Sequence, residues 1–454
     1  MRSTLTAALW ICGLVAIVCG AGQGASSIAP DVPTFSRDVA PVLYRNCTNC
    51  HRPGEIAPMS LLTYEDARPW AKSIGRQVST SAMPPWHGES AHREFLNDRR
   101  LTDAEKETIV RWVNAGAPEG NRTELPPVPT YTDGWQIGQP DAVFAINEDY
   151  PVPAKGTIAY QYFEVPTTFA DDRWIRGIEV RPGNRAVVHH VIVYARPLQP
   201  EPRPSPFKFA AGMDRPAGST GGPTPQNEKQ KPLGPNDRPA PKRLGSMIGA
   251  FAPGQTARVY QPGTAVRLPA GTTLVFQIHY TATGTATTDR TKIGFLLAKQ
   301  APGQEVRLTA LSNGNFAIPP AAADYRVDAE LTMVDDVVLW SILPHTHVRG
   351  KRWEYQLTYP DGRKETLLSV PKYDFNWQTE YAFKTPVFLP KGSTLHSTAW
   401  YDNSAGNRSN PDSTAEVLWG DQTWEEMQWT GLMYSVGAPT GTIAAGGRSA
   451  PASR

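Results

Sequence analysis

Apolar positions recur at two different periods along this chain, and the change of period marks its organisation. From Thr34 to about Gly120 the spacing is helical. Phe35, Val39, Val42 and Leu43 share a face before Cys47, a second helical stretch lies within Leu61 to Val78, and a third opens at Leu101-Thr102-Asp103-Ala104-Glu105. In the third, Thr102 or Asp103 supplies the cap, Ile109, Val110, Trp112 and Val113 form the buried stripe, and Gly116 ends the helix. Beyond Trp135 the pattern becomes that of strands: Tyr160 to Val165, Trp174 to Val180, Ala186 to Tyr194, Thr272 to Tyr280, Lys292 to Leu297, Val337 to Leu343, Trp353 to Thr358, Val387 to Leu389 and Thr394 to Tyr401. These runs are short, β-branched or aromatic, and bounded by Pro, Gly and Asp. The expected architecture is multi-domain: a small all-α domain over residues 34–120, then two all-β antiparallel sandwiches of jelly-roll type over 136–295 and 296–438.

The segments between these blocks have compositions of their own. Residues 121–135 contain Leu125-Pro126-Pro127-Val128-Pro129 and Asp133-Gly134, which predicts a semi-rigid linker. Residues 197–245 are rich in Pro, Gly, Lys and Arg and cannot build a core, so an exposed, partly disordered insertion is expected in the first sandwich. The tail, 439–454, is small and polar and is expected to be disordered. At the other end, Arg2, an apolar run from Leu5 to Val18 and small residues at Ala21, Gly24 and Ala25 have the layout of a secretory signal peptide over 1–25. A retained membrane anchor is the alternative, the run being a little short of the ~20 residues that span a bilayer. The expected location is periplasmic or secreted.

Charge changes this picture little. A net charge of +2, with no basic runs, excludes nucleic acid as an expected partner. Outside the leader only Cys47 and Cys50 remain, so stability has to come from buried cores and not from disulfides.

Those two cysteines point to chemistry. In Cys47-Thr48-Asn49-Cys50-His51 two thiols three positions apart can each form a thioether to one haem edge while the adjacent imidazole turns to the iron. Half of a zinc site and a redox-active disulfide are the alternatives, and the absence of a second cysteine pair disfavours the first. Three short helices around C-x-x-C-H resemble a small class I cytochrome c, which implies covalent haem c as cofactor. For the sixth iron ligand Met83, in Ser81-Ala82-Met83-Pro84-Pro85-Trp86, is the leading candidate, with Met59, His87 and His92 as competitors.

Of the nine histidines, six more fall on or beside the expected strands. Alternation in Leu274 to Tyr280 sets His279 on the face of Gln277 and Val275, the more polar one, where it is available to a metal. His345 and His347 also share a face. His189 and His190 do not, and both can bind one ion only if the backbone bends there or the rings use different nitrogens. His396, in Thr394-Leu395-His396-Ser397, is expected to be a packing residue, and Tyr401-Asp402-Asn403-Ser404 a turn.

Val188-His189-His190-Val191, Gln277-Ile278-His279-Tyr280, His345-Thr346-His347 and Glu425-Glu426-Met427, in that order, resemble the type II copper, ascorbate-dependent monooxygenases, the family of the peptidylglycine α-hydroxylating and dopamine β-hydroxylating enzymes. The resemblance runs from about Trp135 to Val436 and implies two copper ions. His189, His190 and His279 would hold an electron-transfer copper. His345, His347 and Met427 would hold the catalytic copper, where a soft thioether beside two imidazoles favours Cu(I). The activity implied is hydroxylation of a C–H bond of an organic substrate by dioxygen.

Two departures qualify the resemblance. Peptidylglycine enzymes grip the substrate carboxylate with an arginine two positions before the HTH motif and with an asparagine and a tyrosine just after the ligand methionine; here those places hold Leu343, Trp429 and Gly431. A less polar, unidentified substrate is expected. The fused haem motif also implies electrons from a periplasmic or respiratory donor instead of ascorbate. A non-catalytic copper-binding or redox-sensing electron-transfer protein is the alternative function.

Overall fold

The protein is seen in a computed structural model that describes residues 32–438 apart from 54, 56, 90, 132–133, 157, 200–203, 211–212, 214–237, 240, 242, 253–256 and 421. The expected leader (1–25) and tail (439–454) lie outside the described residues, as does much of the expected insertion. Among the described residues no helix is long and apolar enough to cross a membrane.

Most of the regular structure is β-sheet. The helices all precede residue 125 and gather around Phe35, Val39, Leu43, Ile109 and Trp112. Phe35–Val39 forms a π-turn that runs into the α-helix Ala40–Asn46, while Tyr64–Ala67 and Ala71–Ser79 bracket a 3-10 turn. Asp103–Asn114 begins with a full capping box: the Thr102 hydroxyl accepts from the Glu105 N–H, and the Glu105 carboxylate accepts from the Thr102 N–H.

Two pairs of sheets follow, each pair closing on one apolar core. The first core is lined by Ile175, Val191, Phe276 and Phe295 and the second by Leu339, Trp353, Tyr355 and Leu395. In the first pair, Thr273–Tyr280 lies between Gln161–Pro166 and Val188–Arg196, with Ser246–Phe251 at the edge. In the second, Gln428–Val436 lies between Arg307–Asn313 and Val337–His345. Nearly all the pairings are antiparallel; Gln304–Glu305 alongside Thr264–Leu268 is parallel. Lys292–Leu297 and Gln304–Glu305 pair with strands of the first set, and Arg307–Asn313 opens the second, so the changeover falls beyond the boundary expected at 295/296.

Four expectations are corrected by packing. The insertion is not simply exposed: Phe207–Phe209 adds a strand beside Tyr325–Met333, Phe207 enters the second core, and Leu244 covers Tyr194 and Val275. That cover buries the face of Thr273–Tyr280 expected to be polar, where Gln277 is satisfied by the Tyr162 and Tyr194 hydroxyls. Residues 34–120 are also not a self-contained unit. Trp86 and Phe95 leave the helical cluster and join the second core through Tyr381 and Phe383, with edge and tilted ring contacts each worth about 0.5–1.5 kcal/mol. Glu89 N–H to the Ser369 carbonyl and Leu96 N–H to the Ala382 carbonyl fasten the same strap. The linker, finally, is seated at both ends: Leu125 packs on the helical core, the Tyr131 hydroxyl donates to Thr48, and the Trp135 ring meets Arg181 and Lys292.

Candidate metal centres

The His189-His190 pair is resolved by a register slip. Thr273–Tyr280 and Val188–Arg196 pair regularly until His279 stands opposite His190, but Tyr280 then stands opposite Val188. His189 is therefore the extra residue of a β-bulge, and a bulge bends its strand and re-aims the side chain. Neighbours that ordinary alternation would send to opposite faces now converge. Nδ1 of His189 lies 3.1 Å from Nδ1 of His190, and one ring nitrogen from each of His189, His190 and His279 falls within 4.8 Å of the others. Ligands about 2.0 Å from a tetrahedral ion are about 3.3 Å apart, so small side-chain rotations complete the site.

The environment suits neutral imidazoles. Burial lowers the pKa of His189, pushes His190 well down and brings His279 to about 4; neighbouring histidines deepen the last two shifts. Nδ1 of His279 is buried without a hydrogen-bond partner, a cost the fold bears unless an ion takes that lone pair. The Tyr160 ring leans on both His190 and His279 and walls the site.

His345 and His347 meet at the end of Val337–His345, with ring centroids 5.3 Å apart. Their Nδ1 atoms are both engaged, at 2.9 Å from Oε1 of Gln378 and at 3.0 Å from the Glu425 carbonyl. Each acceptor fixes a proton on Nδ1 and leaves Nε2 as the ligand atom, the arrangement that orients metal-binding histidines. Burial, the largest cause, lowers His345 to about 4 and His347 to about 3.

Met427 enters through the backbone. The ladder ends with His345 opposite Trp429, and just beyond it the Glu426 side chain joins the backbones of His347 and Met427. Oε2 of the fully buried Glu426 accepts from the N–H of His347 at 2.8 Å and from that of Met427 at 3.3 Å, while Oε1 accepts from the Arg349 N–H at 2.6 Å. Burial raises the Glu426 carboxyl to about 7 against the pull of these donors and of the buried Arg349 charge. Arg349 is itself held by Asn403 Oδ1 and the Trp424 carbonyl. Gln378, Glu426 and Arg349 were not assigned roles on sequence grounds. Arg349, a charged residue two positions after His347, was the one visible signal. Leu343 and Trp429 do lie beside this pair: Trp429 is edge-on to His345 at 6.0 Å, and Leu343 stands opposite Gly431.

At the C-x-x-C-H motif the N–H groups of Cys50 and His51 both return to the Cys47 carbonyl, making one tight turn with two free cysteines. Burial pushes the Cys47 thiol up to about 12 and raises Cys50 as well. Nδ1 of His51 is buried without a partner. Of the competitors for the sixth ligand, His87 and His92 belong to the strap on the second sandwich: Asp374 and Lys372 act on His87, and His92 lies by Glu89. Met59, like Cys47, packs against the helical core. Met83 follows the Ala71–Ser79 helix, its N–H bound to the Gln77 carbonyl, and no described contact joins its thioether to His51.

The motif also touches the first sandwich. Glu55, four residues after His51, pairs with Arg52 at 2.8 Å and with Arg185, which lies just ahead of Val188–Arg196. Arg52 stacks on Tyr131 at 4.1 Å. His396 takes no part in any centre; its Nε2 meets Asp328 at 2.9 Å.

No protein-family model matches this chain, and no curated protein is similar to it. Among solved structures it is similar to that titled "Structure of PNGF-II in P21 space group", with 11% identity over 65% of each chain and a TM-score of 0.26, so it spans just under two thirds of that relative. It is also similar to the infectious bursal disease virus Gx strain structure, with 10% identity over 66% of this chain and 73% of that one and a TM-score of 0.19.

Proposed function

We propose that this chain is an exported, haem-coupled dicopper monooxygenase that hydroxylates a C–H bond of an apolar organic substrate with dioxygen. The observation that carries the reading is the bulge at His189, which gathers His189, His190 and His279 into one three-imidazole set close to the His345/His347 pair. Imidazoles alone suit several ions. The order of the four motifs and the methionine whose backbone shares the Glu426 carboxylate with His347 favour copper at both centres. Bound copper would supply dioxygen reduction at the second centre and electron storage at the first.

The chain's own residues divide the remaining work. Gln378 and the Glu425 carbonyl hold the two imidazole tautomers, and one oxygen of Glu426 accepts from the backbone N–H groups of both His347 and Met427. Leu343 and Trp429 offer an apolar approach to His345. The Cys47–His51 turn, with the two thiols set for thioethers and an unpartnered His51 Nδ1, is proposed as a cytochrome c-like haem site. The Glu55–Arg185 pair supports electron delivery from that turn to the first centre.

A second reading, a copper electron-transfer protein without organic substrate, is favoured by Leu343, Trp429 and Gly431 standing where the resembling peptidylglycine enzymes carry their substrate-gripping residues. Stopped-flow reoxidation of the reduced haem by dioxygen tests the difference. Under the proposal reoxidation requires copper at both centres and consumes substrate. Reoxidation by the copper-loaded chain with no substrate turnover across apolar candidates supports the second reading, and reoxidation independent of copper overturns both.

A further inference from the structure

One aromatic side chain touches a histidine of each cluster. The Phe375 ring is stacked near-parallel on His189, centroids 6.1 Å apart at 26°, and is edge-on to His347 at 6.1 Å and 82°. The rings of His189 and His347 are thus at most about 12 Å apart, and both contact one phenyl group. We propose that Phe375 is a spacer that fills the gap between the two clusters, keeping water out of it and holding the centres as two separate sites.

The loop that presents Phe375 is built to hold still. It joins Lys364–Val370 to Tyr381–Leu389. Tyr373 grips the HTH motif from one end, its hydroxyl donating to the Thr346 carbonyl at 3.1 Å and accepting from the Thr346 N–H at 3.3 Å. Asp374 turns the chain by accepting from the Asn376 N–H and side-chain amide. Gln378, three residues on, is the partner of His345. A single short segment therefore orients one ligand of the second centre and stacks on one ligand of the first.

An aromatic ring suits that position. A polar group there would offer a bridging ligand and invite one shared binuclear site. A phenyl ring offers no lone pair, and it excludes the water that would otherwise hydrate two facing imidazoles. With the gap filled, a substrate reaches His345 and His347 by the side of Leu343 and Trp429, not between the clusters. The purpose of the spacer rests on the reading of the clusters as metal centres; its physical presence does not.

Diethylpyrocarbonate modification of the metal-free protein, followed residue by residue by mass spectrometry, separates the two. Phe375→Ala is expected to raise the modification rates of His189 and His347 roughly threefold or more, since the vacated volume admits water, with the distant His396 unchanged as an internal reference. Phe375→Leu, which keeps an apolar filler, is expected to stay near the wild-type rates, and Phe375→Trp at or below them. Equal rates at His189 and His347 in all the folded variants overturn the spacer. So does a rise in Phe375→Leu as large as in Phe375→Ala. If Phe375→Ala does not fold, the smaller apolar variant Phe375→Val decides, with rates at His189 and His347 above those of Phe375→Leu supporting the proposal and wild-type rates contradicting it. Failure of copper to bind leaves this result standing, so the two claims fail separately.

Discussion

His189 and His190 are adjacent in sequence, yet their Nδ1 atoms lie 3.1 Å apart. Period-two alternation forbids that in a regular strand. The slip that sets Tyr280 opposite Val188 permits it, so the first centre depends on pairing between two strands and not on either strand alone.

That dependence appears in the response to pH. Burial lowers His279 and His345 to about 4 and His347 to about 3, from an ordinary 6.5. In the metal-free protein the unfolded chain therefore binds more protons between those values. Stability is fully present above about pH 6.5 and is lost as pH falls toward 4, by at most about 1.4 kcal/mol per pH unit for each such group. Urea unfolding of the metal-free protein at a series of pH values checks this; a flat profile between pH 7 and 4.5 contradicts it. Metal loading should leave the upper part of the slope in place and extend it to lower pH, because a ligated imidazole stays unprotonated in the folded state while the unfolded chain still takes up the proton.

Gln378 lies in a loop and touches His345 through one acceptor atom at 2.9 Å. Gln378→Ala should weaken metal binding at the second centre by about 10-fold to 100-fold through loss of tautomer control, and leave the His189 centre unchanged. Competition against a chelator, read separately for the two centres, measures it. Equal weakening at both would show that the loop acts through general stability instead.

Glu426 is a buried carboxyl group whose loss leaves three backbone N–H groups without their acceptor and removes one of the two carboxylates, with Asp412, that act on Arg349. Glu426→Ala should cost about 3–5 kcal/mol of stability, since each buried donor left unsatisfied costs about 1–3 kcal/mol. Glu426→Gln keeps one acceptor oxygen and should cost distinctly less. Denaturant midpoints of the two variants order them; equal midpoints would contradict the role given to the carboxylate.

The Glu55–Arg185 contact, with partly buried side chains, ties the Cys47–His51 turn to the first sandwich. A double-mutant cycle over Glu55→Gln and Arg185→Gln should return a coupling near the upper end of the 0–1 kcal/mol typical of accessible pairs, about 1 kcal/mol. Amide exchange in residues 121–131 should rise in either single variant. No coupling and no change in exchange would mean that the linker alone seats the helical cluster.

Much of the fold was legible. The capping box at Thr102 and Glu105, the apolar stripe ending at Trp112 and the alternation around Val188, Thr273 and Val337 follow from local periodicity, which survives folding because one face is buried. Gln428–Val436 was not anticipated, since Gln428, Thr430 and Gly431 interrupt its apolar run; it is a strand because both neighbours supply ladder partners. Trp86, Phe95 and Phe207 sit in segments rich in proline or charge, where the neighbouring sequence does not reveal that a distant core will take them.

The candidate ligands were legible as residue types, and the HTH pair by spacing. The residues that arrange them were not. Phe375 and Gln378 lie in a loop without periodicity, and the bulge at His189 is a property of a strand pair. Glu426 reads in sequence as an ordinary charged residue, and only the backbone N–H groups folded around it give it a task.

The central claim is that this chain builds one haem site and two separate copper sites. Haem and metal content per chain, measured in the wild type and in His279→Ala and Met427→Ala, tests it most directly. The account predicts one covalent haem and two coppers in the wild type, with one copper lost in each variant and haem retained in both. Zinc in place of copper, no bound metal, or loss of both ions from a folded single variant would contradict it.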